Sequence, residues 1–143
     1  MRILCLDVGS KTIGVAVSDP FGWTAQGVKT IERREILADC REIESLIRDL
    51  QVEKILVGLP LRMNGTEGDQ AASVRAFVGK MEEHAFAKGT PVLFWDERFS
   101  TVAAERGLLE ADLSREKRKK VINKMAAIHI LQGFLDSQKD TLS

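Results

Sequence analysis

Apolar side chains occupy both parities of the opening segment. Ile3 and Cys5 alternate with Leu4, Leu6 and Val8, and the run closes at Asp7. Apolar residues on both faces mark a central strand covered on two sides. Ser10-Lys11 connects it to a second run at 13–18, and Asp19-Pro20-Phe21-Gly22 leads into a third at 23–31. Such short turns predict three strands joined as an antiparallel meander.

Over residues 35–50 the apolar positions Ile36, Cys40, Ile43, Ile47 and Leu50 recur at steps of four, three, four and three, the stripe of an amphipathic helix. A short strand at 54–57 is stopped by Gly58-Leu59-Pro60. Residues 61–68 carry two glycines and an Asn-Gly pair without hydrophobic period, which predicts a mobile loop. Val74, Phe77, Val78, Met81 and Ala85 share one face of a second helix, and residues 91–95 form a fifth strand. Ser100 or Thr101 can cap a helix through Glu110, and Ser114 a longer one reaching about Asp136. The fold class is therefore α/β. Its five-stranded mixed sheet has three antiparallel strands followed by two that helical crossovers force parallel to the first, with helices on both faces. One domain spans 1–138, and residues 139–143 form a frayed tail. This layout brings Asp7, Gly58 and Glu97 to one edge, where open α/β sheets bind ligands.

A chain of 143 residues suits a single domain. Hydrophobic residues make up 44% and charged residues 29%, an ordinary balance, and no apolar run approaches the roughly 18 residues of a membrane span. With no hydrophobic leader after Met1-Arg2, the expected location is cytoplasmic. Cys5 and Cys40 lack the spacing of a metal knuckle and the density of a disulfide scaffold, so both are read as reduced core thiols. Net charge is zero, yet residues 115–120 hold five cations and one anion, a local +4 that leaves −4 for the remainder. A basic patch on an otherwise acidic chain suits a phosphate backbone and excludes a protein that coats nucleic acid over its whole surface.

Asp7 and Glu97 each end an apolar strand. A carboxylate there must be solvated, protonated, hydrogen-bonded or bound to a cation. If their side chains converge, the pair can share divalent ions, and hard oxygen donors imply Mg²⁺ or Mn²⁺. Structural roles compete with this: Asp7 can bond the turn amides of residues 9–11, and Glu97 can pair with Arg98 or cap the following helix. Asn123 shares a helix face with Ala127, Ile130 or Leu131, and Phe134. It is either a satisfied core amide or, through the close approach that Ala126 and Ala127 permit, a neighbour of the two acids. Arg115, Lys117, Arg118, Lys119 and Lys120 crowd the first turns of that helix, where the macrodipole disfavours each cation by about 0.3–1 kcal/mol. An incoming polyanion makes the arrangement favourable. His84 and His129 stand alone, and no Ser-His-Asp arrangement is apparent.

Asp7 to Asp19, Val57-Gly58-Leu59-Pro60-Leu61 with Gly65-Thr66-Glu67-Gly68, Asp96 to Thr101, and Arg115 to Ala127 together resemble the YqgF family, also called RuvX, across nearly the whole chain. The resemblance implies a ribonuclease H-like fold related to the RuvC Holliday junction resolvases, and a metal-dependent nuclease that matures the 5′ end of pre-16S ribosomal RNA. It implies Asp7 and Glu97 as acidic metal ligands and Asn123 where the family usually carries its third catalytic acid. Substrate contacts are expected from Lys11, Thr12, Arg62, Arg98, Arg115, Arg118 and Lys119. The amide at 123 keeps an oxygen donor but loses a charge, so metal affinity should fall. Asp136 lies 13 residues further along the helix, about 20 Å away, and is no ready substitute. The implied partner is nucleic acid, RNA or branched DNA, with no membrane, acted on by a monomer or weak dimer. A DNA junction resolvase and a catalytically reduced nucleic-acid-binding factor in ribosome assembly are the competing functions. A sugar-kinase or actin-like ATPase would need two such domains around its nucleotide, and this chain has room for one.

Overall fold

The computed structural model describes residues 2–84, 89–98 and 115–142, with side chains of the last helix described over 124–138. The elements run β1 (Arg2–Val8), β2 (Thr12–Ser18), β3 (Ala25–Glu32), α1 (Ile36–Asp49), β4 (Val52–Leu59), α2 (Asp69–Glu83), β5 (Val92–Asp96) and α3 (Arg115–Leu142). The helix expected after Ser100 or Thr101 lies outside the described residues. No helix among the described residues is long and apolar enough to cross a membrane.

One sheet contains all five strands in the order β3-β2-β1-β4-β5. The pairings of β2 with β1 and β3 are antiparallel, and those of β4 with β1 and β5 are parallel. This is the expected mixed sheet, with β1 at its centre. β4 outruns its apolar stretch at both ends, because pairing with β1 reaches back to Val52 and pairing with β5 carries it through Gly58 and Leu59. α3 continues through residues 139–142, expected to be frayed, since neither glycine nor proline follows Gly133 to stop it.

Strand alternation sends the two sets of side chains into separate cores. On one face Leu4, Leu6, Ile55 and Val57 pack with Ile43 of α1 and Phe77 and Met81 of α2. On the other, Ile3, Cys5, Ala16 and Leu56 meet Ala126, Ala127, Ile130 and Leu131 of α3. Burial of each large aliphatic side chain contributes roughly 1.5–3 kcal/mol, so both layers are firmly held. Period two places Asp7 beyond Cys5 and Gly58 beyond Leu56, on the face that α3 covers. At Gly58 the approach is close: a Cβ there would lie 2.8 Å from Ile130 Cδ1 and 2.6 Å from Glu97 Oε2.

Residues 61–68, expected to be a loop, form a turn closed by its own hydrogen bonds. Leu61 bridges Glu67, Arg62 N–H donates to Thr66 O (2.9 Å), and Gly65 N–H donates to Arg62 O (2.8 Å). Asn64 Oδ1 accepts from the backbone N–H and the hydroxyl of Thr66. Gly65 has φ +88°, the left-handed region that glycine enters without strain. The turn is tied to β5 by Arg98, which grips Asp96 through Nε (3.0 Å to Oδ2) and Nη2 (2.8 Å to Oδ2), while its Nη1 donates to Met63 O at 3.1 Å. The hydrogen-bonded guanidinium holds the Asp96 carboxyl below its ordinary value.

Gly58→Ala should cost about 1–3 kcal/mol in urea unfolding through overpacking, and adding Ile130→Val, which removes Cδ1, should restore part of it; an unaltered midpoint for Gly58→Ala would contradict the close approach. A carboxyl depressed in the folded state stabilises above its unfolded pKa and loses that contribution as pH falls through the folded value. The stability gap between wild type and Asp96→Asn should therefore stay level from neutral pH down to about pH 4 and shrink below it, as read by thermal unfolding across pH.

Candidate active site at the carboxyl edge of the sheet

β1 delivers Asp7 next to Val8, its last residue, opposite Gly14 of β2. The chain then turns back at once, with Gly9 N–H donating to Thr12 O at 2.8 Å. That turn is braced from outside. Arg33 Nη1 donates to Gly9 O at 2.7 Å, and Arg33 N–H donates to Lys11 O at 2.9 Å. The Arg33 guanidinium lies 5.0 Å from the centre of the Phe77 ring and 3.8 Å from the carboxylate of Asp39, itself only 1% exposed. A charge buried so deeply needs a partner; Arg33 supplies it, with the N–H of Arg34 as a second donor at 3.1 Å.

Glu97 immediately follows β5, and its N–H donates to Leu59 O at 3.4 Å. Its carboxylate rests over Gly58, in space that any other side chain at 58 would occupy. Asp7, Gly58 and Glu97 thus line a single cavity of about 250 Å³ at the carboxyl edge. Ser10 contributes from the β1–β2 turn, and Gln70 and Ser73 from the start of α2. Beneath the acids is Cys5: burial pushes its thiol well above the usual range, and the negative charges of Asp7 and then Glu97 push it further the same way. Both carboxylates therefore act electrostatically on one buried point.

The arginine after Glu97 belongs to another pair. Arg98 engages Asp96 through its guanidinium, and Glu97 lines the cavity. Among the described residues no group of three or more His, Cys, Asp or Glu side chains could hold a metal. The site offers two carboxylates, a number that suits an ion retaining water and taking further oxygen from a substrate.

The other expected contacts are dispersed around the cavity. Lys11 is exposed on the β1–β2 turn and Thr12 opens β2. Arg62, exposed in the 61–68 turn, folds its guanidinium over Gly68. Neither these nor Arg98 are among the described lining residues. The backbone of Arg115, Arg118, Lys119 and Asn123 belongs to the first turns of α3, and their side chains lie outside the described residues. Asn123 lies one turn before Ala126 and Ala127, both buried on the sheet. Sequence reasoning missed Gln70 and Ser73, although their spacing of three at a helix start right after a glycine turn was visible. It also missed the role of Gly58 as a seat for Glu97, for which the Leu56-Val57-Gly58 alternation was the available signal.

The family model for RuvX, described as Holliday junction resolvase, matches residues 1–137. The chain is 57% identical to a protein of Desulforamulus reducens over 96% of its length and 98% of that protein, and 57% identical to one of Moorella thermoacetica over 95% of both. Both carry the name "Putative pre-16S rRNA nuclease". Among solved structures, Thermus thermophilus RuvC in complex with a Holliday junction substrate superposes with TM-score 0.64 at 13% identity, over 97% of this chain and 96% of that one. RuvC from the same organism in a second structure gives 0.59 at 12%, over 99% and 98%. The architecture is thus the ribonuclease H-like fold of the RuvC resolvases, and the chain belongs to the RuvX family.

Proposed function

We propose that this chain is a metal-dependent nuclease that hydrolyses a phosphodiester bond in precursor 16S ribosomal RNA, in the cytoplasm, during maturation of the 5′ end. The observation that carries the reading is the meeting of Asp7 and Glu97 on one cavity at the carboxyl edge of the sheet. The donor set fits Mg²⁺ or Mn²⁺, because both side chains offer hard oxygens and the glycine between them leaves their approach open. Asp7 and Glu97 would hold the ion; when bound, it activates water for attack on phosphorus and stabilises the leaving oxygen.

The chain's own residues do the rest. Arg33, through Gly9 O, holds the turn after Asp7, and Gly58 gives Glu97 its place. Lys11, Thr12 and Arg62, on the turns flanking the cavity, and the cations at 115–120 would bind phosphates on either side of the scissile bond, without sequence preference. Arg98 serves the substrate indirectly, by fixing the 61–68 turn to β5. Asn123 would stand in the position of a third acid, with an oxygen donor and no charge, so the ion would be held less tightly. Cleavage of a branched DNA junction is the second reading. It is favoured by the description of the family model and requires two copies to act on paired strands, whereas RNA processing requires one.

With a 5′-extended 16S precursor and Mg²⁺ or Mn²⁺, Asp7→Asn and Glu97→Gln should each lower the single-turnover rate by at least about a hundredfold, since even outer-shell metal partners are worth 10–100-fold. Cleavage by either variant at the wild-type rate would sink the nuclease reading, while precursor binding without cleavage by the wild type would favour an assembly factor. Asn123→Asp should increase both the rate and the Mn²⁺ affinity measured by calorimetry; equal values for the two proteins would remove position 123 from the site.

A further inference from the structure

The carboxylates occupy the strand ends of the cavity, Ser10 lies on the β1–β2 turn, and α2 supplies two further polar side chains. Gln70 and Ser73 come from its first turns, three residues apart, so they lie on one face of the helix. Both are uncharged, and each can donate and accept a hydrogen bond. Among the described lining residues there is no lysine, arginine or histidine. Uncharged side chains of this kind can donate to a phosphate oxygen, but a phosphate oxygen only accepts, whereas a hydroxyl both donates and accepts and so uses the full capacity of the pair. The group that a nucleic-acid strand offers beside its phosphates is a sugar hydroxyl. No aromatic side chain is among the described lining residues, so none of these offers a base a face to stack on.

This pair is also held in fixed relation to Glu97. Asp96, the residue before Glu97, is gripped by Arg98, and Arg98 reaches Met63 O in the 61–68 turn. That turn runs directly into α2, where Glu67 pairs with Arg75 one helical segment further on. The start of α2 is thus fastened on one side to the strand that bears a carboxylate and on the other to its own helix. Donors placed in advance discriminate better than ones that must be ordered on binding.

We infer that Gln70 and Ser73 select ribose over deoxyribose by hydrogen-bonding a 2′-hydroxyl adjacent to the scissile phosphate. The inference rests on the nuclease reading of the same cavity. It gives that reading a substrate class, since the 2′-hydroxyl is what distinguishes RNA from DNA at a given position. Both side chains are exposed, so water can replace the missing hydroxyl and the selection should be moderate, roughly two- to tenfold for each hydrogen bond lost.

The test uses a panel of otherwise identical precursor-derived RNAs carrying one 2′-deoxy nucleotide at successive positions. Binding is measured by fluorescence anisotropy and cleavage in parallel, for the full-length wild type, Gln70→Ala, Ser73→Ala and the double variant. Alanine at exposed helix positions preserves the fold, which circular dichroism verifies. For the wild type, one deoxy position should weaken binding two- to tenfold; the double variant should bind that RNA and the all-ribose RNA alike. An unchanged deoxy penalty in the double variant, no penalty in the wild type, or an equal loss for both RNAs would overturn the inference, the last pointing to phosphate contact. If the binding pattern holds while no RNA is cut in either metal, the inference stands and the nuclease reading fails.

Discussion

Everything at the site depends on the parallel pairing of three strands. β1, β4 and β5 must run the same way because helices connect them, and parallel strands end together. Two carboxylates 90 residues apart in sequence thereby arrive at one edge. The energy that holds them comes from elsewhere, from aliphatic packing on both faces of the sheet.

Much of this was legible in the chain. The doubly apolar run at 2–8 identified the central strand, because only a strand with two covered faces has no polar side. The four-three spacing of Ile36 to Leu50 gave α1 almost to its ends, and the two crossovers dictated which strands are parallel. Asp7 and Glu97 were recognisable because acids at the ends of apolar strands are costly unless something meets them. Other features depend on through-space geometry that sequence spacing does not encode. Arg98 follows Glu97 directly, yet chooses Asp96, since strand ends point neighbouring side chains in opposite directions. The segment at 61–68 has the composition of a mobile loop, and the pairing of Leu61 with Glu67, the backbone bonds among Arg62, Gly65 and Thr66, and the Asn64–Thr66 bonds close it. Gly58 looked like a strand terminator; its lack of a side chain serves the approach of Glu97 and Ile130 instead.

The chemistry proposed for the site follows from a small donor set. Two carboxylates can hold an ion that keeps much of its hydration, and the substrate then completes the coordination. Such a centre is weak until the polyanion arrives. No cation is among the described lining residues of the cavity, and under the proposed function attraction of the substrate would fall to cations such as Lys11 and Arg62 on the flanking turns and those of the 115–120 run. Recruitment and chemistry are therefore carried by different parts of the surface.

The Arg33 brace has a mechanical consequence. Asp7 and its turn are referenced, through Gly9 O, to Asp39 of α1 and Phe77 of α2, whereas Glu97 rests over Gly58 of β4, where Ile130 of α3 also approaches. One acid is thus registered to α1 and α2 and the other to the strand that α3 packs against. Sliding of either layer would change the gap between the two oxygens, so an ion that bridges them would act as a staple across the sandwich and resist shear between its halves.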